Sequence, residues 1–187
     1  MRWEDRLGGL FEDLEQQAEG LHLAERDAEL ADRSRSEYAG VTFASRLHAS
    51  VGGTVSLAVT GVGPLQGTLT RVGTDWCLLE AAPAGPEWVV ALAAVRQAGG
   101  LSERAVSEVA RPVVARLSMR SALRGIAESR AEVLVHHVDG TQLRGLLGRA
   151  GADFVEVVPQ PDQVGDRSRS RVPEVLPLAM LAAVRRT

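Results

Sequence analysis

The chain has no lysine and no asparagine, a single cysteine (Cys77), and aromatic side chains at only 4% of its 187 positions. One cysteine excludes an intramolecular disulfide and any metal site built from several thiolates. With no lysine there is no phosphate-binding loop of the Gly-rich, Lys-ending kind, and Gly61-Val-Gly-Pro-Leu-Gln-Gly67 also lacks the following helix that such a loop needs. So few aromatics mean a core built of Val, Leu and Ala. No apolar run approaches the roughly 18 residues of a membrane-spanning helix. The acidic N-terminus has no signal-peptide pattern, so the expectation is a soluble, cytoplasmic protein.

All 21 basic residues are arginine, which is consistent with a GC-rich bacterial coding sequence. The net charge of −3 is unevenly spread. Residues 1–39 hold five Arg against eleven Asp and Glu, or −6, and the remainder holds sixteen against thirteen, or +3. A body so mildly basic is compatible with nucleic-acid binding but does not argue for it.

What is present is a repetition. Residues 65–75 read LQGTLTRVGTD and residues 143–153 read LRGLLGRAGAD, with six identities in eleven positions at a shift of 78. Trp76 and Phe154 follow as an aromatic pair. Leu92-Ala-Ala-Val-Arg96 recurs as Leu181-Ala-Ala-Val-Arg185 at a shift of 89, implying 11 extra residues (89 less 78) in the second copy. Two copies of one small unit behind an N-terminal extension are expected.

Residues 2–38 carry apolar side chains at helical spacing (Leu7, Leu10, Phe11, Leu14, Ala18, Leu21) on an acidic background and predict a helix. Leu7, Leu10, Phe11 and Leu14 form its candidate docking face, for this protein's own body, a protein partner or self-association. Short helices are expected at 43–50 and at 121–129, the latter capped by Ser121. In the first unit, strands are expected at 54–59, 65–72, 75–81 and 87–92. Ala93-Ala94 crosses over to a last short strand from Val95. In the second they fall at 132–138, 143–150, 153–158, 174–179 and 181–185, with a long hairpin loop at 159–173. Residues 101–112 predict a linker helix closed by Pro112. Glycine weakens a strand unless a bend or a close backbone approach requires it, so Gly67 and Gly145 mark such places. Five short strands per unit, mostly joined by tight turns, predict a small closed or nearly closed barrel. The expected fold is therefore mainly β with an N-terminal α-helix and two tandem five-stranded barrels, each preceded by a short helix. The divisions are 1–40 for the acidic helix, 41–100 for the first barrel, 101–120 for the linker helix and 121–187 for the second barrel.

This pattern resembles the Sm-like small barrel of LSm and Hfq-type proteins, over residues 43–98 and 121–187; a general SH3-like barrel fits nearly as well. Leu65-Gln-Gly67-Thr-Leu69 and Leu143-Arg-Gly145-Leu-Leu147 match the start of the first Sm motif. The family's Asp falls on Gly73 or Gly151, with Asp75 and Asp153 two residues late, and its uridine-reading Asn has no counterpart. Val95-Arg96 and Val184-Arg185 echo the second motif without its following Gly. The chain is also similar to actinobacterial proteins of this size with an acidic N-terminal helix and G-x-D-W/F repeats, which implies a bacterial source and brings no activity with it.

Little here points to catalysis. Adjacent strand residues His136 and His137 face opposite ways and do not share a metal. Cys77 reads as a small core hydrophobe. Asp75 and Asp153 read as turn residues bonding local amides. The expectation is a protein that is not an enzyme, with no cofactor, no metal, no membrane and no identified small-molecule substrate: a binding, scaffold or regulatory protein. The alternative is a weak RNA- or DNA-binding regulator using Arg71, Arg96, Arg149, Arg185 and the loop arginines Arg167, Arg169 and Arg171. Arginine suits phosphate contact and base stacking, but an exposed strand arginine is usually a solvated one. The discriminating feature is whether these arginines share one face.

Overall fold

The structure, a computed structural model, describes residues 38–81, 85–160 and 172–187, together with 19, 22, 26, 29, 30, 32, 33, 35 and 36; the side chains of Glu108 and Val114 are also left aside. The chain divides into two compact units, Met1–Val41 and Thr42–Thr187. In the first, every described residue from 19 to 39 is helical. The expected docking face of Leu7, Leu10, Phe11 and Leu14 lies outside the described residues.

The second unit is built from strands whose burial alternates as their sequences do. In β1 (Thr54–Val59), Val55, Leu57 and Val59 are buried while Thr54 and Ser56 are exposed. Then come β2 (Gly63–Val72), β3 (Trp76–Glu80), β4 (Glu87–Ala91), a 3-10 turn (Leu92–Ala94) and β5 (Val95–Gly99). After the connection follow β6 (Glu132–His137), β7 (Gln142–Ala150), β8 (Phe154–Pro159), β9 (Glu174–Pro177), a second 3-10 turn (Leu178–Met180) and β10 (Leu181–Arg186). Helix α1 (Phe43–Ala49) is opened by a reciprocal cap. The Thr42 hydroxyl accepts from the Ser45 amide at 3.1 Å, and the Ser45 hydroxyl accepts from the Thr42 amide at 3.0 Å. It packs on β2, and helix α2 (Met119–Ser129) packs on β7 and β8. Leu47 and Leu123, each fully buried, are the side chains the two helices press into the core.

Two separate five-stranded barrels, Sm-like or SH3-like, do not form. All ten strands make one open antiparallel sheet in the order β5-β1-β2-β3-β4-β10-β6-β7-β8-β9. The join is the β4–β10 seam, with Ala183 opposite Val90, Val184 opposite Val89 and Arg185 opposite Trp88. Unpaired strand edges leave backbone N–H and C=O groups without partners. Here one edge of each half satisfies the other instead of curling back on its own half. The buried side chains accordingly form a single cluster running from Leu47 and Val55 through Val90 to Val155 and Leu176.

Strand order within the halves is the same, and the pairings show which residues correspond. The Asp75 carbonyl accepts from the Leu92 amide at 2.9 Å and the Asp153 carbonyl from Leu178 at 2.7 Å. Val95 pairs with Val59 and Leu181 with His137. The early correspondence keeps the shift of 78, but the late one is 86 (178 less 92). The Leu-Ala-Ala-Val-Arg echo at 89 is therefore out of step by three residues. Arg185 stands where Gly99 stands, and Arg96 where Ala182 stands. The second half carries eight extra residues, not eleven, because the 3-10 turn after β9 is made by Leu178-Ala-Met180, where strand is expected to run on through residue 179.

The linker differs as well. Residues 101–112 are not an α-helix: only short 3-10 turns occur, at Glu108–Ala110 and Val113–Arg116. The segment is tied to α1 instead. Arg46 donates to the Ser102 carbonyl at 2.9 and 3.1 Å, the Ser102 amide donates to Ser50 Oγ at 2.9 Å, and the Val106 amide to the Ser45 carbonyl at 3.1 Å. Helix α2 begins two residues earlier than expected, with Ser118 as its N-cap, but the Ser118 side chain does not cap it. Asp75 Oδ1 does, accepting from the Met119 amide at 2.6 Å across 44 positions. Asp75 thus bonds a remote amide and not a local one. Asp75→Ala should cost about 1–2 kcal/mol, the range of a lost N-cap, whereas Asp153→Ala, which removes no such bond among the described residues, should cost little; thermal melts of the two variants check this.

The glycines work by close approach. A Cβ on Gly67 would stand 2.3 Å from the Glu80 carbonyl oxygen, and one on Gly145 2.3 Å from that of Val158. At these points the crossing strand lies too close for any side chain.

Candidate functional site

The four strand arginines do not come together. Arg71, on β2, is exposed and has no acidic partner among the described residues. Arg96 is exposed on the edge strand β5, at the end of the sheet. Arg149, on β7, is held by Glu156 of β8 through a two-pronged bond, Nε to Oε2 at 3.1 Å and Nη2 to Oε1 at 3.0 Å. That contact lowers the Glu156 carboxyl below the usual range. Arg185 lies in the seam, its guanidinium carbon 5.6 Å from the Trp88 ring centroid. Arg167, Arg169 and Arg171 lie outside the described residues.

The seam brings Arg185 together with residues distant in the chain. Trp88 of β4 also meets His136 of β6, their ring centroids 5.2 Å apart. His136 is 5% exposed, and neither ring nitrogen has a hydrogen-bond partner among the described residues. Burial, and then repulsion from Arg185 and His137, push its pKa below the ordinary value, favouring the neutral ring. Its neighbour His137 is half-buried. Among the described residues no three His, Cys, Asp or Glu side chains cluster as metal ligands. Cys77 is fully buried on β3, and burial pushes its thiol up to about 12, far from the thiolate a nucleophile requires.

Beside the seam, on the side facing α2, is a groove of about 470 Å³. Its floor is one cross-strand row: Arg71 of β2 opposite Leu78 of β3, Leu78 opposite Val89 of β4, and Val89 opposite Val184 of β10. Ala122, Gly125 and Ile126 of α2 form the facing wall. Arg71, Glu87 and Arg186 stand at the rim, with Glu87 and Arg186 paired at 3.3 Å. Two signals for this place were in the sequence. Leu78 stands in the first unit where the second has Glu156, and Gly125 lies inside a helix.

No protein-family model matches this chain, and no curated protein matches it. Among the described residues, no helix is long and apolar enough to cross a membrane.

Proposed function

We propose that this protein is a non-catalytic scaffold that associates with further copies of itself, edge to edge, by extending its sheet. The observation that carries this reading is the mismatch between the seam and the ends of the sheet. At the seam, β4 is covered by β10. The strand corresponding to β4 is β9 and the one corresponding to β10 is β5, and these are the two outer strands. Val89, covered at the seam, is 8% exposed, while its counterpart Val175 on β9 is 61% exposed. An apolar side chain on an open strand edge is a template for pairing. Docking β9 of one copy on β5 of another in the register of the seam sets Val175 opposite Ala98 and Glu174 opposite Gly99. Such a contact is head-to-tail, so it yields a ring if the rotation closes and a filament if it does not. The Sm-like ancestry of the repeated unit belongs to the same proposal, supported by Leu65-Gln-Gly67-Thr-Leu69 and Leu143-Arg-Gly145-Leu-Leu147 on matching strands; separate barrels form no part of it. The nucleic-acid alternative gains no support from arginines dispersed over an edge, a salt bridge and an aromatic contact.

The test uses complementary edges. Val175→Lys blocks β9 and leaves β5 intact; Ala98→Lys does the reverse. Light scattering after gel filtration should show the wild type as an oligomer, each variant alone as a monomer, and their mixture as a one-to-one dimer, with circular dichroism confirming that both variants are folded. A wild type that stays monomeric at every concentration, or folded variants that assemble as the wild type does, overturns the proposal.

A further inference from the structure

The groove beside the seam has at its mouth an arginine that no acid neutralises, unlike the corresponding place in the other half. Arg149 is occupied by Glu156. In the first half Leu78 replaces that glutamate, so the same exchange frees Arg71 and lengthens the apolar floor. An arginine at the edge of an apolar surface, without an acid, is suited to a carboxylate or phosphate presented on an apolar body. Glu87 does not supply that acid, being paired with Arg186 at 3.3 Å.

The facing wall makes the same point from a different observation. Gly125 lies inside α2, where glycine costs about 1 kcal/mol relative to alanine. The usual reason for keeping such a glycine is a close neighbour. Here a Cβ would meet nothing within 4 Å. Packing within the protein does not demand the glycine, and its effect is to keep the groove open. The volume, about 470 Å³, lies in the range of small-molecule sites.

We propose that this groove binds a small amphiphile, with the apolar body on Leu78, Val89 and Val184 under Ile126 and an anionic head at Arg71. Carboxylate and phosphate heads share the chemistry Arg71 recognises, and the test separates them.

The experiment is calorimetric titration of the full chain with decanoate, octyl phosphate and the neutral decanol, below their aggregation concentrations. At least one anionic probe should bind at one site per chain, about tenfold or more tighter than decanol, the scale of one charge-assisted hydrogen bond. The tighter of decanoate and octyl phosphate identifies the head. Arg71→Gln should erase the advantage over decanol. Gly125→Phe, which directs a ring into open space and improves helix propensity, should abolish binding of all three with the melting temperature held or raised. No heat with either anion, an Arg71→Gln protein that still prefers the anion, or a folded Gly125→Phe protein that binds as the wild type does would overturn the proposal.

Discussion

Trp76→Ala is expected to lower the unfolding free energy by about 3–5 kcal/mol, the range for removing a buried large aromatic. The indole is 6% exposed, and two separate links pass through it. Its ring lies against Gly73, where a Cβ would be 2.1 Å from Nε1, so the glycine and the tryptophan fit only each other. Its Nε1–H donates to the Leu117 carbonyl at 2.9 Å, which also accepts from the Thr74 amide at 3.1 Å. These bonds bring the connection between the halves to the β2–β3 turn, where Asp75 caps α2. Alanine removes the ring and the indole bond, leaving the Leu117 carbonyl to the Thr74 amide and hydroxyl. Phe154 holds the corresponding place over Gly151, but it is only half-buried and offers no N–H. Phe154→Ala should therefore cost clearly less. Urea denaturation followed by far-ultraviolet circular dichroism measures both. Equal losses, or an unchanged midpoint for Trp76→Ala, would refute this assignment of roles.

Val184→Asp tests whether the halves are one folding unit. Val184 is 2% exposed in the middle of β10, between Val89 of β4 and Val135 of β6. The cation on its row, Arg71, is exposed and three strands away, and an unpaired buried charge costs about 3–5 kcal/mol. The wild type should unfold in one transition, reported alike by tryptophan fluorescence and circular dichroism, since the buried cluster is continuous across the seam. The variant should unfold at a markedly lower urea concentration, or in two steps if one half outlasts the seam. A midpoint equal to that of the wild type would mean that the seam contributes nothing.

Much of the local structure was legible in the chain. Alternation in Thr54–Val59 marked β1, and the doubled glycines marked two places where strands cross too closely for a side chain. The short helix expected at 43–50 is α1, Phe43–Ala49. Less visible was the cap of α2, because Asp75 lies 44 residues from the amide it holds. The linker failed as a helix for a related reason: its backbone groups find Ser45, Ser50 and Arg46 on α1, and those bonds replace helical ones. The Leu-Ala-Ala-Val-Arg echo misled because four small or apolar residues and one arginine recur easily in an arginine-rich chain, and only the pairings of β5 and β10 reveal the register. As to the site, freed Arg71 could have been noticed by setting Leu78 beside Glu156, but the groove could not. Its floor joins β2, β3, β4 and β10, which meet only through the seam.

The order of side chains by itself determined where strands form, which face of each is apolar, and where glycine is obligatory, because those follow from local sterics and from the two-residue period of a strand. It did not determine whether each half closes on itself or joins the other. Every strand edge presents the same N–H and C=O groups, so the local sequence carries no label for the partner across an edge. Only the tertiary structure decided that β4 takes β10, with Val90 opposite Ala183, and so left β5 and β9 at the two ends of one open sheet.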